Sequence, residues 1–424
     1  MPAAVPGTLQ WIALGLFGIA LLHTFSTPLF HHLAQRHPAH AGAWHLLGEV
    51  EAVFGFWAMV LVFAMFALAG RQAALGYLDS REFTEPMFVF VVMVIAASRP
   101  ILGVAARLVR AAGAILPLPR ALSHFVCVLA IVPLLGSLIT EPAAMTLAAM
   151  LLRDGFFVAG LSTRLKYATI GVLFVNISIG GTLTAFAAPP VLMVAAKWGW
   201  DSAFMLQVFG WKAALAVMVN ALVLALLFRR ELAGLKAPAT EQTDEGTSIP
   251  RFVTAISLAF LFAVIVFAHH AEMYLGVFIF FLAFAQAYPR FQARLIMREA
   301  FLVAFFLAGL VVLGGQQQWW LQPLLLKMSA TEVYFGAAVL TAVTDNAALT
   351  YLGSLVDGLS AEFKVSLVAG AVTGGGLTIV ANAPNPAGFA ILKEHLADQA
   401  INPFWLLLAA LPPTLVALAA FRML

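Results

Sequence analysis

Stretches of about twenty apolar residues recur along the whole chain, and no other feature limits its folding as strongly. A helix of that length spans the roughly 30 Å hydrocarbon core of a bilayer, and repeated runs of this kind favour a helical bundle over a barrel. Only 10% of the 424 residues are charged and 62% are hydrophobic, against about 25% charged in soluble domains. The expectation is an all-α polytopic membrane protein. The formal charge of +3 gives no sign of a nucleic-acid partner, and the single cysteine, Cys127, excludes an intramolecular disulfide. The first apolar run lacks a basic leader and reads as a spanning helix, not a secretory signal.

Full crossings are expected at 7–30, 45–70, 86–106, 166–196 and 204–228, and again at 252–268, 272–288, 300–315, 365–391 and 403–420. The crossings at 166–196 and 365–391 are interrupted by Gly and Pro. Each half adds one hairpin, at 122–152 and 331–356, that re-enters its own side. The second arm of the latter is about eleven residues, roughly 16 Å, half of what a crossing needs. Residues 1–228 and 251–424 thus form two repeats joined by a polar cytoplasmic linker, 229–250. Five crossings per half is odd, so the repeats are inverted with respect to the membrane. On this map fifteen basic residues, among them Arg107, Arg110, Arg164 and Arg294, face one side. Six face the other: Arg71, Arg81, Lys197, Lys327, Lys364 and Arg422. Positive charge marks the cytoplasm, so both termini are expected outside.

The hairpins share a pattern, T-acid-x-A-A-(L/M)-T. It runs from Thr140 through Glu141 to Thr146 and from Thr344 through Asp345 to Thr350. Each places a carboxylate at a predicted turn between apolar arms, where charge is costly and normally functional. An ordinary loop between helices is the plain alternative. The interrupted crossings read NISIGGTLTAFAAPP at 176–190 and GGGLTIVANAPNPAG at 374–388. Glycine lets the backbone leave helical geometry and proline removes a donor. The freed carbonyls, with Ser, Thr and Asn oxygens, are hard ligands for a cation such as Na⁺, although Gly and Pro also kink passive helices.

A carboxylate withdrawn from water holds a proton more readily, so protons and cations compete for it. Asp345 is the stronger candidate, because Asn346 beside it adds a neutral oxygen whereas Pro142 adds none to Glu141. Arg99, the basic residue well inside a predicted crossing, is the expected charge partner of Glu141; a structural salt bridge is the alternative role for either acid. The histidines between 23 and 45 read as a solvated loop or as a pH sensor. No nucleophile motif or metal-spaced His pair within a crossing points to an enzyme.

At these residues the chain resembles the ion transporter superfamily of NhaD-type sodium/proton antiporters, arsenite permeases and dicarboxylate/sodium symporters. It is most similar to the bacterial putative sodium/proton antiporter family. TAVTDNAALTYLGSLV at 341–356 and FLAGLVVLGGQQQWWLQPLL at 306–325 carry the likeness together with the two interrupted crossings. The resemblance implies a homodimer in the bacterial inner membrane, elevator-like motion, transported Na⁺ and H⁺ and no resident cofactor. It places Glu141, Thr146, Gly181, Thr182, Thr184, Asp345, Asn346, Thr350, Thr378, Asn382 and Asn385 near the ion site, with Asp345 and Asn346 holding sodium. Relatives often carry an acid before the Pro-Pro pair and an asparagine after it; here those positions are Ala188 and Val191. The expected activity is sodium (or lithium or potassium)/proton antiport, with a sodium- or proton-coupled anion carrier as the alternative.

Overall fold

The computed structural model describes residues 7–235, 248–396 and 400–424, and among them the chain is helical throughout, with no strand. The middle of the expected linker, 236–247, with Lys236, Glu241, Asp244 and Glu245, lies outside the described residues. The first helices are α1 (Thr8–Thr24), α2 (Thr27–Arg36), α3 (Ala41–Leu47) and α4 (Val50–Asp79). His23 ties three of them together: its Nδ1 accepts from Trp57 Nε1 at 3.0 Å, and its Nε2 lies 2.9 Å from the Leu47 carbonyl oxygen. With a hydrogen bond at each ring nitrogen, this histidine is a latch between helices.

Helix α4 is kinked at Gly70, where φ is 84°, close to the expected end of the crossing. The crossing expected at 86–106 is not straight. It consists of α5 (Thr84–Ala96) and α6 (Arg99–Ile115), bent by 68°. Pro100 supplies the reason: it has no N–H for the preceding turn and moves Arg99 off the line of α5.

The first hairpin is α7 (Arg120–Ile139) and α8 (Glu141–Leu152), turning at Thr140. Helix α7 alone is long and apolar enough to cross a bilayer. Next come α9 (Thr163–Gly180), an irregular stretch, and α10 (Pro189–Trp198), which starts on the Pro189-Pro190 pair. Helices α11 (Ser202–Met205), α12 (Trp211–Leu227) and α13 (Arg229–Ala233) end the first half. The second half opens with α14 (Arg251–Val266), α15 (Ala271–Ala287), α16 (Met297–Gly314) and α17 (Gln318–Leu325). Its hairpin is α18 (Ala330–Thr341) and α19 (Asn346–Ser354); α20 (Ala361–Gly374), an interruption, α21 (Asn385–Leu392) and α22 (Pro403–Met423) close the chain.

Among the described residues six helices meet the length and apolarity needed to cross a membrane, or seven if α5 and α6 count as one span, fewer than the ten crossings expected; α1, α14 and α15 are apolar but only 17, 16 and 17 residues long. This is a multi-span membrane protein. Helix α9 is its centre: 83% of its apolar window is buried, against 39% for the peripheral α4 and α22. It packs on α7, α8, α12, α20 and α22. Close approach depends on small residues. A Cβ on Gly180 would stand 2.7 Å from the Pro133 carbonyl oxygen, and one on Gly171 2.7 Å from that of Ala409. Contacts between the halves are reciprocal, since α8 lies against α21 and α10 against α19.

Candidate functional site

Helix α19 begins where it does because Asp345 caps it. Its backbone is extended (φ −75°, ψ 143°), and its Oδ1 accepts from the Ala347 amide at 2.7 Å and the Ala348 amide at 3.3 Å. A carboxylate at a helix N-terminus is favoured by the exposed N–H groups and the dipole. The next residue, Asn346, is fully buried; its amide donates to the Ala381 carbonyl at 3.1 Å and its Nδ2 to Ser178 Oγ at 3.3 Å. Ser178 in turn donates to the Val372 carbonyl at 2.7 Å, so the first broken helix is pinned to the second.

The interruption after α20 is held open by its own polar side chains. Asn385 Nδ2 bridges the carbonyls of Gly375 (2.8 Å) and Thr378 (2.9 Å), and Thr378 Oγ1 donates to the Ala342 carbonyl at 2.8 Å. These bonds satisfy carbonyls that the broken helix leaves free. From the same loop Asn382 Nδ2 reaches Glu141 Oε2 at 2.9 Å. Glu141 is wholly buried at the start of α8. A Cβ on Gly181 would lie 2.5 Å from its Oε1, so glycine makes room for the carboxylate.

What distinguishes the cluster is the set of acceptors left over. Glu141 Oε1, Asn346 Oδ1, Asn382 Oδ1, Asn385 Oδ1 and the hydroxyl of Thr140 are all buried without a hydrogen-bond partner. Each such group costs about 1–3 kcal/mol. The two acids are linked through the loop after α20, where Asn382 donates to Glu141 and the Ala381 carbonyl accepts from the Asn346 amide beside Asp345. Among the described residues no basic side chain forms an ion pair with either.

Of the expected site residues, Glu141, Gly181, Asp345, Asn346, Thr378, Asn382 and Asn385 come together. Thr146, Thr182 and Thr350 do not show a free hydroxyl to this cluster; they bond the carbonyls of Pro142, Ile179 and Ala347. Thr184 donates to the Ser137 carbonyl at 2.6 Å. The expected Arg99–Glu141 pair is not formed: Arg99 begins α6 beyond the bend and donates to the carbonyl of Arg290. Ser137 and Ser178 were missed by sequence reasoning. Ser137 bridges the Gly180 carbonyl and the Leu183 amide, and its place three residues before the hairpin turn is the only sequence signal for it.

The sequence model of a family described as "Putative Na+/H+ antiporter" matches residues 8–424. The chain belongs to that family. No curated protein matches it significantly. Membership of that family gives the cluster its chemical setting, that of a transporter. Two buried carboxylates among amide oxygens, at the meeting of two broken helices, suit a small hard cation and a proton.

Proposed function

We propose that this protein exchanges Na⁺, or another monovalent cation, for protons across the inner membrane, and that the exchange occurs at the Glu141–Asp345 cluster. The unfilled buried oxygens carry the reading. A dehydrated cation would be met by Glu141 Oε1, the Asp345 carboxylate and the side-chain oxygens of Asn346 and Asn382. A proton on a carboxylate removes the charge that holds the cation, so the two are bound alternately. Asp345 is the carboxylate for which they compete, and Glu141 completes the cage. Among the described residues no basic side chain makes an ion pair with the acids, which favours a cation over an anion as cargo.

The surrounding architecture supports alternating access of the inverted-repeat kind. The reciprocal packing of α8 on α21 and α10 on α19 fits two repeats related by a two-fold axis, residues 1–228 and 251–424. The arms α18 and α19 have 12 and 9 residues, about 18 and 14 Å, which suits a re-entrant hairpin. An elevator-like motion, a homodimer, membership of the wider ion transporter superfamily and outside termini belong to the same reading.

The test is collapse of a respiration-generated pH gradient in everted vesicles on adding Na⁺, Li⁺ or K⁺. Wild type is expected to dissipate the gradient with at least one cation, and Asp345→Asn and Glu141→Gln are expected to be silent at equal expression. A wild type that responds to no cation overturns antiport. A fully active Asp345→Asn overturns the assignment of that residue.

A further inference from the structure

At the end of the second hairpin remote from the ion cluster, three basic side chains from three separate elements converge. Arg81 lies in the connection after α4, Lys197 in the last turn of α10 and Lys364 in the first turn of α20. Helix α10 packs on both α19 and α20, which brings the last two elements together. Lys197 is exposed, and its ammonium lies within electrostatic reach of Arg81, Lys364 and Asp357. Arg81 is held in place: its guanidinium stands 4.8 Å over the Tyr77 ring and donates to Ser80 Oγ. Its Nη1 occupies the space where a Cβ of residue 315 would go, at 2.5 Å, so Gly315 admits it. Tyr351 on α19 stands alongside, since a Cβ on the adjoining Gly314 would lie 2.7 Å from its ring.

Like charges gathered in this way repel one another, and the nearby Asp357 carboxylate, one negative charge against three positive ones, offsets them only in part. Among the described residues no carboxylate forms an ion pair with any of the three. Glu82 and Glu362 are sequence neighbours of Arg81 and Lys364 but make no such contact, and Asp357 is exposed and takes a hydrogen bond from Gln318. The second observation is aromatic. Trp198 and Trp200 pack edge to face at 5.0 Å, and Lys364 Nζ lies 5.6 Å from the Trp198 ring. Paired tryptophans beside lysines at the ends of apolar helices mark the level of the lipid headgroups.

We propose that Arg81, Lys197 and Lys364 form a binding site for the phosphate of an anionic lipid headgroup, at the membrane edge of the second hairpin. The phosphate completes the neutralisation that Asp357 alone leaves partial, and the acyl chains run down the apolar faces below the tryptophans. Bound there, one lipid bridges α10, α20 and, through Arg81, the connection after α4. Such basic pockets between membrane helices are the usual seat of acidic headgroups.

Thermal unfolding of the purified full chain in detergent, titrated with phosphatidylglycerol or phosphatidylcholine, tests this directly. Phosphatidylglycerol is expected to raise Tm saturably and phosphatidylcholine to leave it unchanged. In the double variant Lys197→Gln/Lys364→Gln the apparent affinity for phosphatidylglycerol is expected to fall roughly tenfold or more. Lys327→Gln, a charge removed elsewhere, is expected to keep the full response. Equal effects of the two lipids in wild type overturn the site without recourse to any variant. So does an unchanged response in the double variant, or an equal loss in Lys327→Gln, which would assign the effect to diffuse surface charge. Inorganic phosphate alone reproducing the shift would assign the site to a soluble anion and overturn the lipid.

Discussion

At the scale of residues, the acids and amides that meet in the cluster were legible, whereas Thr146, Thr182, Thr184 and Thr350 were expected there and bond backbone carbonyls instead. Glu141 and Asp345 stand out because a charge in an apolar hairpin needs a reason. Thr146 and Thr350 share their motif but follow the acid by five residues, which turns them about 140° away around a helix. They bond their own backbone instead. Arg99 was misread because a straight crossing was assumed where Pro100 bends the chain. Gly181 offers a sharp test of the geometry. Gly181→Ala puts a methyl 2.5 Å from Glu141 Oε1, and cation-dependent gradient collapse in vesicles is expected to disappear while the protein still inserts. Thr140 offers a second. Its φ of 72° and ψ of 150° belong to a region that only glycine enters freely, and its hydroxyl is buried without a partner. Thr140→Gly is expected to stabilise the fold by about 1–3 kcal/mol, read as a higher Tm in detergent. A lower Tm would mean that the hydroxyl has an essential partner.

Among the elements, the interruptions were readable from Gly and Pro, and the turns from the acids that begin α8 and α19. How a broken helix repairs its backbone was not readable, because the partners are distant in sequence. Pro133 in α7 cannot donate to the Leu129 carbonyl one turn back. Asn176 of α9 fills that vacancy, its Nδ2 lying 2.8 Å from the Leu129 oxygen, while its own oxygen accepts from Asn220 of α12 at 2.9 Å. Asn176→Ala is expected to cost about 1–3 kcal/mol through the orphaned carbonyl. Pro133→Ala restores a backbone donor, so the double variant is expected to lose less than the sum of the two single changes. Additive Tm losses would show that the amide acts elsewhere.

For the whole molecule, the all-helical, multi-span character could be anticipated from hydropathy and length, but ten full crossings were expected where six or seven helices qualify among the described residues, and the interlocking of the halves could not be anticipated. The two hairpins are expected to open to opposite faces of the membrane. Cysteines introduced at Ala159, after the first hairpin, and at Ala361, after the second, should react with an impermeant maleimide from opposite sides; both positions are exposed, and buried Cys127 stays silent. Labelling from one side only would refute the inverted arrangement. The interlocking also bears on how the chain is made. Glu141 waits for Asn382, which is 241 residues away. At roughly 5–20 residues per second that interval is on the order of ten to fifty seconds. Throughout it α8 has left the ribosome without α21 to cover it. The nascent first half therefore sits in the bilayer with its acid uncapped, a state open to quality-control proteases, and release from that hazard comes only once α21 has been made.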